Sequence, residues 1–173
     1  MTLKETQLTE LTITDVERLD PINVIFKDYG PQRGKVTIEV CGDAWSYFWG
    51  AMGEGHTVKS FFLKADSDYI VRKLSIGIQS TIDDESQEAL VWAAKKEIIK
   101  DRKDGGSRWK ARDKWRLLDE ITDDGKESNS DVLYEIFGCD WYDSLPQTPN
   151  PKYEYLRRIV KTIQAAIKNQ LTA

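Results

Sequence analysis

The sequence predicts an α+β fold: a small antiparallel sheet of three to four strands over about residues 8–50, covered by a layer of C-terminal helices between about 57 and 171. Three observations carry this reading. KVTIEVC, from Lys35 to Cys41, alternates polar and apolar residues with the period of a half-buried strand. AWSYFWG follows across Gly42-Asp43, a two-residue turn signal, so the two stretches read as a hairpin. From Thr57 onward the apolar spacing turns helical, and N-capping residues recur ahead of each apolar run.

In chain order, a short strand is expected around Leu8 to Ile13. Thr14-Asp15-Val16-Glu17 has capping-box spacing and suggests a single helical turn. INVIFKDY is rich in branched and aromatic residues and reads as a strand stopped at Gly30-Pro31. Thr57 and Asp66 cap two short helices, TVKSFFLKA and SDYIVRKLS. Asp84, with Gln87 three residues on, opens a longer helix to about Lys103, ended by Gly105-Gly106. Ser107 starts a helix through Ile121, and DVLYEIFG forms another. Asn150-Pro151 opens the last, whose stripe of Leu156, Ile159, Val160, Ile163 and Ile167 marks its buried side. SLPQTPNP reads as a spacer, so the chain is expected to be a single domain, residues 1–173.

With Gly42-Asp43 as the turn, Trp45 faces Val40, Tyr47 faces Ile38 and Trp49 faces Val36. The three aromatics then share a face with three branched aliphatics, the side a helical layer covers, and Phe48 alone lies on the other. That arrangement favours a core over a platform for stacking bases. Trp45 and Trp49 are therefore expected to be buried.

GAMGEGHT, residues 50–57, follows the phosphate-loop pattern G-x-x-x-x-G-K-[ST] except that His56 stands in the lysine position. A largely neutral imidazole and the carboxylate of Glu54 suit a phosphate poorly, and the preceding strand looks antiparallel. The glycines are better read as a sharp turn into a helix.

The composition, 40% hydrophobic and 31% charged, is that of a globular chain. No apolar run is long enough to span a bilayer, and MTLKETQLTE lacks the features of a secretory signal. Cys41 and Cys139 are expected to be reduced, small and buried, which suits a cytoplasmic setting. One histidine and two distant cysteines offer no metal set, and no cofactor is expected. A base and nucleophile would have to come from His56, Ser60 and Asp43, a set that arises readily by chance, so enzymatic activity is not expected.

The net charge of −4 hides strong polarisation. Residues 95–116 carry 10 basic and 4 acidic side chains, net +6, whereas 119–143 carry 1 basic and 9 acidic, net −8. The basic stretch KKEIIKDRKDGGSRWKARDKWR spans two predicted helices and the glycine turn between them. Clustered Lys and Arg with Trp109 and Trp115 nearby permit phosphate contact, and the residues for that role are Lys100, Arg102, Lys103, Arg108, Lys110 and Arg112. Trp109 and Trp115 do not share one helical face cleanly, so one is expected in the core. The competing reading is a solvated helical hairpin whose charge complements the acidic segment, itself read as a solvated mobile loop without calcium-loop spacing.

GKVTIEVCGDAWSYFWGAMG, followed by FFLKADSDYIVRKLS, resembles a group of small accessory proteins carried by phages and prophages of enteric bacteria. The resemblance is clearest over about residues 14–75, and FGCDWYDSLPQTPNPKYEYLRRIV is similar to their C-terminal end. It brings no catalytic motif. It implies an accessory protein acting in the cytoplasm of the bacterial host by binding a host macromolecule, in the manner of host-takeover or anti-defence inhibitors. A host protein is the favoured partner; nucleic acid bound by the hairpin 95–116 is the alternative. No membrane partner is expected.

Overall fold

A computed structural model of the protein describes residues 8–172. The chain begins with β1 (Thr9–Ile13), β2 (Ile22–Asp28), β3 (Gly34–Val40) and β4 (Asp43–Trp49), followed by α1 (Val58–Lys64), α2 (Ser67–Leu74) and β5 (Thr81–Asp83). Then come α3 (Gln87–Lys103), α4 (Arg108–Arg116), α5 (Gly125–Ser128), α6 (Ser130–Phe137), β6 (Gln147–Pro149) and α7 (Pro151–Thr172). The fold is α+β. The elements form two compact units: one holds the chain up to Ser80 and again from Asn150, and the other is Thr81–Pro149.

In the first unit, β1 to β4 form an antiparallel meander in sequence order. Alternation puts Ile22, Val24 and Phe26 of β2 and Val36, Ile38 and Val40 of β3 on one buried face. α1, α2 and α7 cover that face. Phe62 of α1 meets Phe26 edge-on at 5.6 Å, and the stripe Leu156, Ile159, Val160, Ile163 and Ile167 of α7 is buried in the same core. Each such side chain contributes about 1.5–3 kcal/mol by leaving water. Arg157 of α7 forks onto Asp68 of α2, with nitrogen–oxygen distances of 2.7 and 3.1 Å.

The hairpin turn lies one residue earlier than expected. Cys41 and Gly42 form it, with φ of 51° and 89°, so Val40 pairs with Asp43, Ile38 with Trp45, Val36 with Tyr47 and Gly34 with Trp49. Two consecutive positive φ values are what a tight hairpin turn needs, and glycine fits its second position. The register moves by two residues, so the aromatic row keeps its face. Trp49 is buried, its ring 5.7 Å from Phe61 and its indole Nε1 donating to Tyr69 Oη at 3.2 Å. Trp45 is only half-buried, because it stands near the turn end of β4.

Other details depart from expectation. Thr14 to Val16 is irregular, with Asp15 at φ 58°, and leads into a turn closed by Leu19 N on Val16 O at 3.2 Å rather than a helical turn. Asp84 is not the cap of α3; Ser86 is, and Asp84 Oδ1 accepts from Ser86 N and Oγ at 3.2 and 2.7 Å. The helix opened by Ser107 stops at Arg116 and continues as a tighter turn, Leu117–Glu120. β5 and β6 pair into a small ribbon the sequence did not announce, and β6 lies inside SLPQTPNP. Cys41 and Cys139 are both exposed. Among the described residues, no helix is long and apolar enough to cross a membrane.

The second unit has its own core, in which Leu90, Ala94 and Ile98 of α3 meet Leu118, Ile121, Leu133 and Ile136. The acidic run keeps its carboxylates exposed, as expected, but is folded into short helical turns and tied to this core through Ile121. Asn129 is 1% exposed, and its side chain accepts from Thr122 N at 2.8 Å and donates to Thr122 O and Gly125 O at 2.9 and 2.7 Å. A buried amide with these bonds made fixes the turn. Lys126 bridges Asp83 and Glu85 at 2.7 and 3.2 Å, tying α5 to the ribbon.

Candidate functional site

The loop at residues 50–57 does not offer a phosphate cradle. Gly53 and Gly55 adopt positive φ, 82° and 74°, and turn the chain into α1. The leading N–H groups of that helix are already taken: Val58 N donates to Asp28 Oδ1 at 2.7 Å and Ser60 N to Thr57 Oγ1 at 3.2 Å. A carboxylate holds the place a phosphate would need. His56 Nδ1 and Ser60 Oγ lie 3.4 Å apart, but the serine hydroxyl donates to Thr57 O and accepts from Thr57 N, both at 3.0 Å, as part of the cap. Asp43 sits at the far end of β4, opposite Val40.

The unusual surface is the hairpin of α3 and α4. Asp104 ends α3, Gly105 follows at φ 94°, and Gly106 N closes the turn on Asp101 O at 2.8 Å. The two helices enclose a groove of about 440 Å³ whose floor is Ile98, Ile99, Ala111 and Trp115. Its rim is cationic: Arg102, Lys103, Arg108, Arg112 and Arg116. No carboxylate lines it.

Lys100, Arg102, Lys103, Arg108, Lys110 and Arg112, the residues named from sequence, are all exposed, and they divide among three sides of the hairpin. Arg102, Lys103, Arg108 and Arg112 meet at the groove. Lys110 lies on the opposite side of α4, in a small recess with Lys114. Lys100 lies along a second cleft, of about 580 Å³, with Trp92, Lys96 and Lys103 and with the carboxylates of Glu97 and Asp104. Arg102 donates to Gly106 O at 3.0 Å, and Lys100 sits 3.5 Å from Glu97. Among the described residues, no ion pair engages Lys103, Arg108 or Arg112, and none joins 95–116 to the acidic segment 119–143. Lys114 is occupied otherwise, bonded to Asp101 and to Ile136 O at 2.7 and 2.8 Å.

The aromatic component is larger than the sequence suggested. Trp109 and Trp115 are both exposed, by 68% and 46%, so neither is core. α4 is too short and too charged to bury either; none of its residues is buried. Trp92 of α3 joins them at 56%. Lys96 Nζ stands 3.8 Å from the Trp92 ring centre, and the Arg112 guanidinium 4.3 Å from that of Trp109. Trp92, Lys96, Ile99 and Lys103 are spaced by helical steps of four, three and four, one stripe of α3. That stripe was open to sequence reading. A window chosen for charge alone begins at Lys95 and cuts off Trp92.

A family model described as a phage family matches residues 1–169. No curated protein and no solved structure matches. A match over this much of the chain shows membership: the chain belongs to that phage family.

Proposed function

We propose that this member of a phage family acts without catalysis, by binding a macromolecule of the bacterial host through the α3–α4 hairpin in the host cytoplasm. The observation that carries the reading is three exposed tryptophans within a hairpin whose groove is rimmed by five cations and no carboxylate. Exposed large aromatics on one surface mark interaction sites, and Trp and Arg are the residues that most often anchor them. Ser60 is spent on the cap of α1 and Asp43 stands at the far end of β4, which supports a reading without catalysis by His56, Ser60 and Asp43. A host-takeover or anti-defence role draws its support from the phage family alone.

A second reading takes an acidic segment of a host protein as the partner. The apolar floor of Ile98, Ile99 and Ala111 favours it, since an aliphatic side chain would fit there between flanking carboxylates. Capture from host lysate with the wild type and with a Trp109→Ser/Trp115→Ser variant tests the general reading, provided both proteins and nucleic acids are identified. The expected result is a component retained by the wild type and lost by the variant. A component held equally by both, or turnover of a small molecule, would overturn it.

A further inference from the structure

We infer that the ligand of the α3–α4 hairpin is single-stranded nucleic acid, its phosphates on the groove rim and its bases against the tryptophans; this rests on the reading of the hairpin as the binding face. Arg102, Lys103, Arg108, Arg112 and Arg116 border one groove, and no carboxylate faces them across it. The rim holds four arginines and one lysine, and a phosphate chain takes both residue types along its length.

The tryptophans separate the two partner classes further. Trp92, Trp109 and Trp115 are exposed by 56%, 68% and 46% and do not gather in one pocket: Trp115 lines the groove, Trp92 lines the second cleft, and Trp109 lines neither. A protein hot spot clusters its aromatics in a desolvated centre, whereas stacked bases meet aromatics one after another along a strand. Arg112 over the Trp109 ring and Lys96 over the Trp92 ring put a cation beside each of these aromatics, the pairing that a base with its own phosphate calls for.

Strandedness follows from the charge distribution. The second unit also carries the acidic segment 119–143, net −8, and none of it is neutralised by ion pairs to the hairpin. A duplex presents phosphates on two strands over a broad front and keeps its bases stacked on one another. A single strand can follow the groove alone, with its bases free to stack on Trp.

The test uses the full chain and a fluorescein-labelled mixed-sequence 20-mer, alone and annealed to its complement, with poly-L-glutamate as the acidic polypeptide. Anisotropy should show binding to the single strand in preference to the duplex, with quenching of tryptophan fluorescence. Five rim contacts at a slope of about −0.7 each predict a log–log salt slope of about −3.5, or roughly 100-fold weaker binding between about 50 and 200 mM salt. Trp109→Ala/Trp115→Ala should weaken binding about tenfold or more. Arg102→Gln/Arg108→Gln/Arg112→Gln should flatten the slope by about 2, with an unchanged circular dichroism spectrum and melt. Equal or tighter binding of the duplex overturns the inference, as does full affinity in both variants. Binding of poly-L-glutamate without the oligonucleotide overturns it while leaving the hairpin as the binding face. Binding of neither removes both.

Discussion

Gly34→Ala tests how β3 and α1 are fitted together. Gly34 opens β3 opposite Trp49, and a Cβ built there lies 2.5 Å from Val58 Cβ and 3.1 Å from both Val58 Cγ2 and Lys27 O. Ordinary contact is about 3.5–4 Å, so the first turn of α1 would have to retreat by roughly 1 Å. It is poorly placed to do so. Val58 N is bonded to Asp28 Oδ1 at 2.7 Å, and Thr57 and Ser60 complete a reciprocal capping box behind it. Overpacking of this kind costs about 1–3 kcal/mol. Lower entropy of the unfolded chain with alanine offsets about 0.4–1 kcal/mol of that. The expected net loss is about 1–2 kcal/mol, read as a lower urea midpoint at unchanged slope. Val58→Ala removes the Cγ atoms but leaves the Cβ–Cβ clash, so Gly34→Ala added to it should cost less, though not nothing. A neutral or stabilising Gly34→Ala, with no coupling to Val58→Ala in the double-mutant cycle, would refute this account of the junction.

Trp49→Ala should cost about 3–5 kcal/mol, because it empties a buried site and strands the Tyr69 hydroxyl. Trp45→Ala, at the half-buried end of the same row, should cost about 1–2 kcal/mol; equal losses in parallel urea melts would contradict the burial difference. The ribbon in the second unit predicts a pH dependence. A hydrogen bond from Lys126, and then one from Gln147, holds the Asp83 carboxyl below its ordinary value. Its stabilisation is therefore present above about pH 4 and is lost as the pH falls through the lowered folded value. Hydrogen bonds to Asp83 and Glu85 raise the Lys126 ammonium, whose contribution is complete below about pH 10 and lost as the pH rises through the raised value. Lys126→Met should flatten both limbs of the stability–pH curve, and a curve unchanged in shape would show that the bridge contributes nothing.

How far the sequence revealed this molecule depended on whether its signals were local. Period-two alternation in KVTIEVC placed β3, and Thr57, Asp66 and Asn150 marked helix starts because a cap is a contact between neighbours in sequence. The aromatic face survived an error in the turn because strand parity tolerates a shift of two. The turn itself was harder to place: Gly42 fits either of two adjacent turns, and choosing between them depends on Gly34 having to oppose Trp49 so that Val58 can pack close. That is a relation between residues 15 to 24 positions apart. The candidate site was half legible in the same way. Its charge stood out along the chain, but the sorting of six basic residues among three sides of the hairpin depends on how α4 crosses α3. The expectation that one of Trp109 and Trp115 is core failed for a related reason. Six apart on a helix, they lie on different faces, and a helix with a core beneath it would bury one of them. α4 instead contributes only Ala111 to a core edge and is anchored by Lys114 on Asp101 and Ile136 O, leaving both indoles in solvent. The amphipathic rule presumes that a tryptophan is there for packing. On α4 polar anchors hold the helix in place of packing, and both indoles stay in solvent.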